Sequence, residues 1–137
     1  MAAWSRRRSL DAIVARRRAL AERYRELLAA VPGLVTATDP PYGTTNYQSF
    51  WVLLPDDFPV TRNELLSRYE AAGVSPRRGI MASHLEPAYA DHPHADLPVT
   101  ERLARQSLIL PLYHELSEPA QDHVVAVLRH AAGTAAA

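Results

Sequence analysis

The chain has 137 residues, 47% of them apolar, which suits one domain with its own core and is too apolar for a disordered segment. Arg residues number 15 against 15 acidic ones, so net charge draws the chain neither to nucleic acid nor to an anionic membrane. Cysteine and lysine are both absent, which excludes disulfides, thiolate metal sites, cysteine nucleophiles and any side-chain amine able to form a Schiff base.

Residues 1–8, ending in Arg6, Arg7 and Arg8, are set apart as a basic N-terminal tail. No secretory h-region follows them, and no apolar run nears the ~20 residues of a membrane helix, so a cytoplasmic protein is expected. Residues 9–132 are expected to form one domain, with a disordered tail at 133–137.

Leu10, Ile13, Val14, Leu20, Tyr24, Leu27, Leu28 and Val31 recur at three- and four-residue spacings, which predicts a long amphipathic helix stopped by Pro32-Gly33. Arg16, Arg17 and Arg18 belong to its solvated face, since Glu22 and Glu26 interrupt the charge. After a turn-forming stretch at residues 39–43, residues 47–54 read as a strand that is apolar on both faces. Phe50, Val52 and Leu54 line one face and Tyr47, Trp51 and Leu53 the other, so helices or another domain are expected to cover both sides.

Thr61 and Glu64 have the capping-box spacing, Leu65, Leu66, Tyr69 and Ala72 form a helical stripe, and Gly73 stands where the glycine after a helix belongs. Residues 74–81 contain Arg77-Arg78-Gly79, two guanidiniums suited to a phosphate or carboxylate beside a glycine that permits close approach. The bland alternative is an exposed pair held by surface acids. A His-, Pro- and Tyr-rich segment at 84–98 follows, then a short helix near 99–106 and a strand at 107–110 closed by Pro111. The last helix starts at Ser117 with Pro119 in its first turn, buries Val124, Val127 and Leu128, and ends before Gly133. The order describes an α+β domain: a small antiparallel sheet packed by helices and preceded by a long amphipathic helix.

His92-Pro93-His94, near His84, Asp91 and Asp96, invites a metal reading, but the ligand set is incomplete and no metal site is assigned. No nucleophile elbow, phosphate-cradling loop or dinucleotide fingerprint is present.

Five segments in series carry a resemblance: Arg16–Tyr24, Tyr47–Pro55, Ala72–Gly79, Leu97–Glu101 and Ser107–Leu112. In order and spacing they resemble the C-terminal third of the DegT/DnrJ/EryC1/StrS sugar aminotransferases, nearest the perosamine-synthase branch, over about residues 10–131. The resemblance implies the small domain of a fold-type-I pyridoxal-phosphate (PLP) enzyme, with the N-terminal domain that carries PLP and its lysine absent. It implies no catalytic and no cofactor-binding residue in this chain. Arg77 or Arg78 would meet substrate phosphate, with His84 and Tyr47 as further substrate-side residues. Asn46 and Pro76 depart from the serine and threonine common in the family. The implied partners are a nucleotide-sugar and a PLP-bearing large-domain protein in trans or a homodimer. The alternative is a non-catalytic interaction or scaffold module that reuses the fold.

Overall fold

A computed structural model describes residues 2–134, with side chains from Leu10 onward. Helix α1 (Ala2–Leu28) begins inside the segment set apart as a tail and ends at the turn of residues 29–30, before Pro32. It leads to strand β1 (Val35–Thr36), a two-residue pairing with no signature in the sequence. Strand β2 (Phe50–Leu53), helix α2 (Arg62–Ala71), strand β3 (Arg77–Arg78), helix α3 (Pro98–Gln106), strand β4 (Ser107–Leu110) and helix α4 (Glu118–Ala131) follow. Two 3-10 turns, Ser83–Leu85 and Pro87–Tyr89, punctuate the histidine-rich segment.

The four strands form one antiparallel sheet in the order β1-β2-β4-β3. Its helix-facing side is the core: Phe50, Val52, Leu108 and Leu110 are all at most 1% exposed. Against them pack Leu20, Tyr24 and Leu28 of α1, Leu65 and Tyr69 of α2, and Val124 and Leu128 of α4. Each such buried side chain contributes about 1.5–3 kcal/mol of transfer free energy, which is what holds three helices to one face.

Three side chains inside this core are hydrogen-bonded, although Gln121 Oε1 has no partner. Tyr24 Oη donates to the Pro111 carbonyl (2.9 Å) and Tyr69 Oη to that of Val124 (3.1 Å); burial pushes both phenols above their ordinary pKa. Gln121 Nε2 donates to the Leu20 carbonyl (2.9 Å) and so pins α4 to α1.

Local signals behave as the residues dictate. Thr61 accepts from the Glu64 amide and Glu64 answers at the Thr61 amide, a complete capping box. Ser117 accepts from the Ala120 amide at the start of α4. Gly73 (φ 72°) and Gly133 (φ 71°) adopt the left-handed conformation that ends α2 and α4. Gly133 and Thr134, expected in a disordered tail, close α4 by backbone bonds to His130 and Arg129; residues 135–137 lie outside the described residues.

Candidate functional site

Strand β2 is shorter than its composition predicts, and the difference relocates Tyr47. Residues 47–49 are irregular, and Tyr47 takes φ 46°, the only described non-glycine residue at positive φ. The ring does not line the far face of the sheet. It is 4% exposed and lies 6.4 Å from the Phe50 ring, on the core side. Backbone strain of this kind costs on the order of 1–3 kcal/mol and persists where surrounding contacts over-determine it.

Those contacts come from the arginines of α1, which are half-buried rather than a solvated face. Arg17 Nη1 donates to the carbonyls of Tyr47 (3.1 Å) and Gln48 (2.9 Å). Arg18 donates to the Thr45 carbonyl (2.6 Å), pairs with Asp39 (2.7 Å) and sets its guanidinium 5.6 Å from the centre of the Tyr47 ring. That pairing, chiefly the hydrogen bond, raises the Arg18 pKa and lowers that of Asp39. Arg16 reaches the other way, to the Leu116 carbonyl (2.9 Å). Three consecutive guanidiniums thus fasten two loops to one helix, using five-donor forks where lysine would offer a point charge.

Strand register separates the two arginines of Arg77-Arg78. Arg77 pairs with Ile109, which pairs with Trp51; Arg78 pairs with Leu108, which pairs with Val52. Directly opposed residues share a face, so Arg77 projects to the open side with Trp51 and Arg78 to the helix side. Arg78 there lies near Arg62, whose pKa is lowered by burial first and by Arg78 second. Arg62 Nη1 donates to the Ala104 and Ser107 carbonyls (3.0 and 3.2 Å), bracing the α3–β4 junction. The two guanidiniums therefore leave the edge strand β3 from opposite faces. Both are exposed, and Arg77 is the one on the open side, beside Ser49 and Ile109.

Gly79 holds β3 against the sheet. Its amide donates to the Ser107 carbonyl (3.0 Å), and a Cβ there would run into the Ser107 side chain. The open side carries Trp51 (39% exposed), Ile80 (41%) and Ile109, which with Gly79, Leu103 and Ser107 line a groove of 330 Å³.

His84 sits elsewhere again, against α3. Its side chain is 9% exposed, and Nε2 faces Glu101 Oε1 at 3.6 Å without a hydrogen-bond partner. The His94 ring packs 4.7 Å away. Glu101 also accepts from Arg105 (2.9 Å), the main cause of its lowered pKa, with His84 a lesser one. Glu101 was visible in the sequence only as the end of Leu97–Glu101; an acid three residues into a helix reads as a dipole partner, and nothing in the spacing ties it to His84. His92 lies apart, against the Tyr89 ring, and among the described residues no three His, Cys, Asp or Glu side chains are grouped to hold a metal. Of the four expected site residues, only Arg77 faces the open groove side; the structure does not bring Tyr47, Arg78 and His84 to it.

A match to the DegT/DnrJ/EryC1/StrS aminotransferase family spans residues 4–129. The chain belongs to that family. It is similar to the erythromycin biosynthesis sensory transduction protein EryC1 of Saccharopolyspora erythraea, at 37% identity over 125 residues, 89% of this chain and 33% of the relative. It is also similar to the dTDP-3-amino-3,4,6-trideoxy-alpha-D-glucose transaminase of Streptomyces venezuelae, at 33% identity, covering 88% of this chain and 31% of that protein. Among solved structures, the aminotransferase TlmJ of Streptoalloteichus hindustanus superposes with a TM-score of 0.78 at 33% identity, over 90% of this chain and 33% of that one. The chain thus spans about a third of the length of the family members it matches. Among the described residues no helix is long and apolar enough to cross a membrane.

Proposed function

We propose that this chain is the C-terminal, substrate-positioning domain of a PLP-dependent nucleotide-sugar aminotransferase of the perosamine-synthase kind, and that it is inactive by itself. The carrying observation is a conjunction: the family match covers nearly all of the chain, yet the 137 residues contain no lysine. PLP supplies an electron sink to transamination when it is bound through a lysine amine. The residues here do not fit that role, since the chain offers no side-chain amine.

What the chain supplies is orientation. Arg77, on the open face, offers a planar fork to a diphosphate such as the one in the dTDP-sugar named for the S. venezuelae relative. His84 beside Glu101, and the loop at Tyr47 fastened by Arg17 and Arg18, lie away from Arg77 and would act through the shape of the domain. Positioning of this kind lowers the barrier without any proton transfer by this chain.

The test combines the chain with PLP, a nucleotide-linked amino sugar and 2-oxoglutarate, with and without a lysine-bearing large-domain protein. Amino transfer only in the mixture supports the proposal. Silence in both, with no association between the proteins, leaves the scaffold reading.

A further inference from the structure

The histidine-rich segment between β3 and α3 has little hold on the rest of the domain. From Ser83 to Val99, His84 is the only residue that is not exposed. The backbone bonds of the two 3-10 turns close within residues 82–92, so they shape the segment without tying it to the sheet. His84 is therefore the side chain by which this stretch is anchored, and an element with one buried anchor opens more easily than the core beneath it.

The anchor is unfinished. The His84 side chain is 9% exposed, and its Nε2 is buried without a hydrogen-bond partner, 3.6 Å from Glu101 Oε1. That separation is too long for a hydrogen bond, and a buried ring nitrogen facing a carboxylate is unfavourable unless it carries a proton to donate. Glu101 is set up to receive one. Its Oε2 accepts from Arg105 (2.9 Å), which holds the carboxyl below its usual range, and its Oε1 is left turned towards His84. The other titratable ring beside His84 is His94, 4.7 Å away on the same segment, whose Nδ1 donates to the Ala95 carbonyl (2.8 Å). Of these groups Glu101 favours a positive His84, while Arg105 and a protonated His94 oppose it.

We propose that His84 and Glu101 form a proton-operated latch: on taking up a proton, His84 Nε2–H closes on Glu101 Oε1 and seats residues 83–97 on α3, and on losing it the segment loosens. Imidazole changes charge between about pH 5 and 8, so the latch works within the physiological range. The only species exchanged is a proton with solvent. The seated stretch carries Leu85, Tyr89 and Leu97, all exposed, so the latch governs how this apolar surface is presented. The device is independent of the functional reading above.

The test is amide exchange of the full chain with solvent, measured by NMR and corrected for its intrinsic pH dependence, with the six imidazoles followed through the same titration. Protection of the turn amides of Leu85, Glu86 and Tyr89 should be about three- to tenfold higher at about pH 5.5 than at about pH 8, in step with the His84 resonances, while the β4 amides stay constant. Glu101→Gln, which keeps the shape and removes the charge, and His84→Asn should each abolish this step. His92→Asn, at an exposed position against Tyr89, should retain it. Thermal unfolding confirms that each variant is folded, and the wild-type titration needs no variant at all. Protection that does not change with pH overturns the latch, as does a step that survives Glu101→Gln or His84→Asn. A step that disappears in His94→Asn while the His84 ring still titrates also overturns it, because the proton then belongs to the neighbouring ring.

Discussion

Replacing Gly79 with alanine probes the contact that sets the β3 edge and, with it, the direction of Arg77. The backbone at Gly79 is not in the left-handed region, so the cost is steric alone. A Cβ there meets Ser107 Oγ first, with Ser107 Cβ at 2.6 Å and the Ser107 carbonyl carbon at 3.1 Å. The serine is not free to turn aside, because its hydroxyl donates to the Leu103 carbonyl and accepts from the Ile80 amide (3.4 Å). Relief therefore has to come from backbone movement, and overpacking of this kind costs about 1–3 kcal/mol. For a domain of this size each kcal/mol moves Tm by roughly 3–5 °C, so Gly79→Ala should melt about 3–15 °C below wild type. Gly43→Ala is the control: its added Cβ would meet only Pro40 Cγ at 3.7 Å, and the change should be neutral or stabilising by roughly 0.4–1 kcal/mol. Adding Ser107→Gly to Gly79→Ala should recover part of the loss, so that the double variant is less destabilised than the two single changes summed. Calorimetric melts of the four variants decide it. Equal Tm values for Gly79→Ala and Gly43→Ala would refute the close approach of β3 to β4.

Two further predictions concern stability. Thr61→Ala removes one side of the capping box at α2 and should cost about 1 kcal/mol by denaturant titration, with an unchanged slope. Burial raises the folded-state pKa of Tyr24 and Tyr69, so the stability they contribute is present below the unfolded tyrosine pKa of about 10 and is lost as pH rises toward the folded value. Tyr69→Phe should lower stability at neutral pH by about 1 kcal/mol, through loss of the bond to Val124, while flattening the decline above about pH 10. An alkaline limb as steep as that of wild type would contradict the assignment.

The strongest helical and capping signals were legible because they are local. Thr61 with Glu64, Ser117 with Pro119, and the glycines after α2 and α4 act within a turn of the residues that display them. The β4 strand was equally plain, a short apolar run closed by proline. What sequence reading missed depends on partners distant in the chain. Tyr47 reads as strand by composition, yet Arg17 and Arg18, some thirty residues earlier, bend its backbone and place its ring with Phe50. The same arginines look solvated because helical spacing cannot show that two loops return to them. Arg77 and Arg78 looked like one clamp because adjacency is visible in sequence and strand alternation is not, until register with Ile109 and Leu108 assigns each its face. His84 was singled out, but its facing acid lies 17 positions later, across loop and helix start that no periodicity bridges.

The central claim, that the open face presents substrate phosphate to an active site completed by another domain, is tested most directly by amino-transfer kinetics of the mixture with Arg77→Ala and Arg78→Ala. Loss of a charged hydrogen bond of about 1.5–3 kcal/mol predicts that Arg77→Ala raises KM for the nucleotide-sugar roughly 10- to 100-fold with kcat little changed. Arg78→Ala, on the opposite face, should leave both within about twofold of wild type. Equal effects of the two substitutions, or an effect of Arg78→Ala alone, would contradict the account.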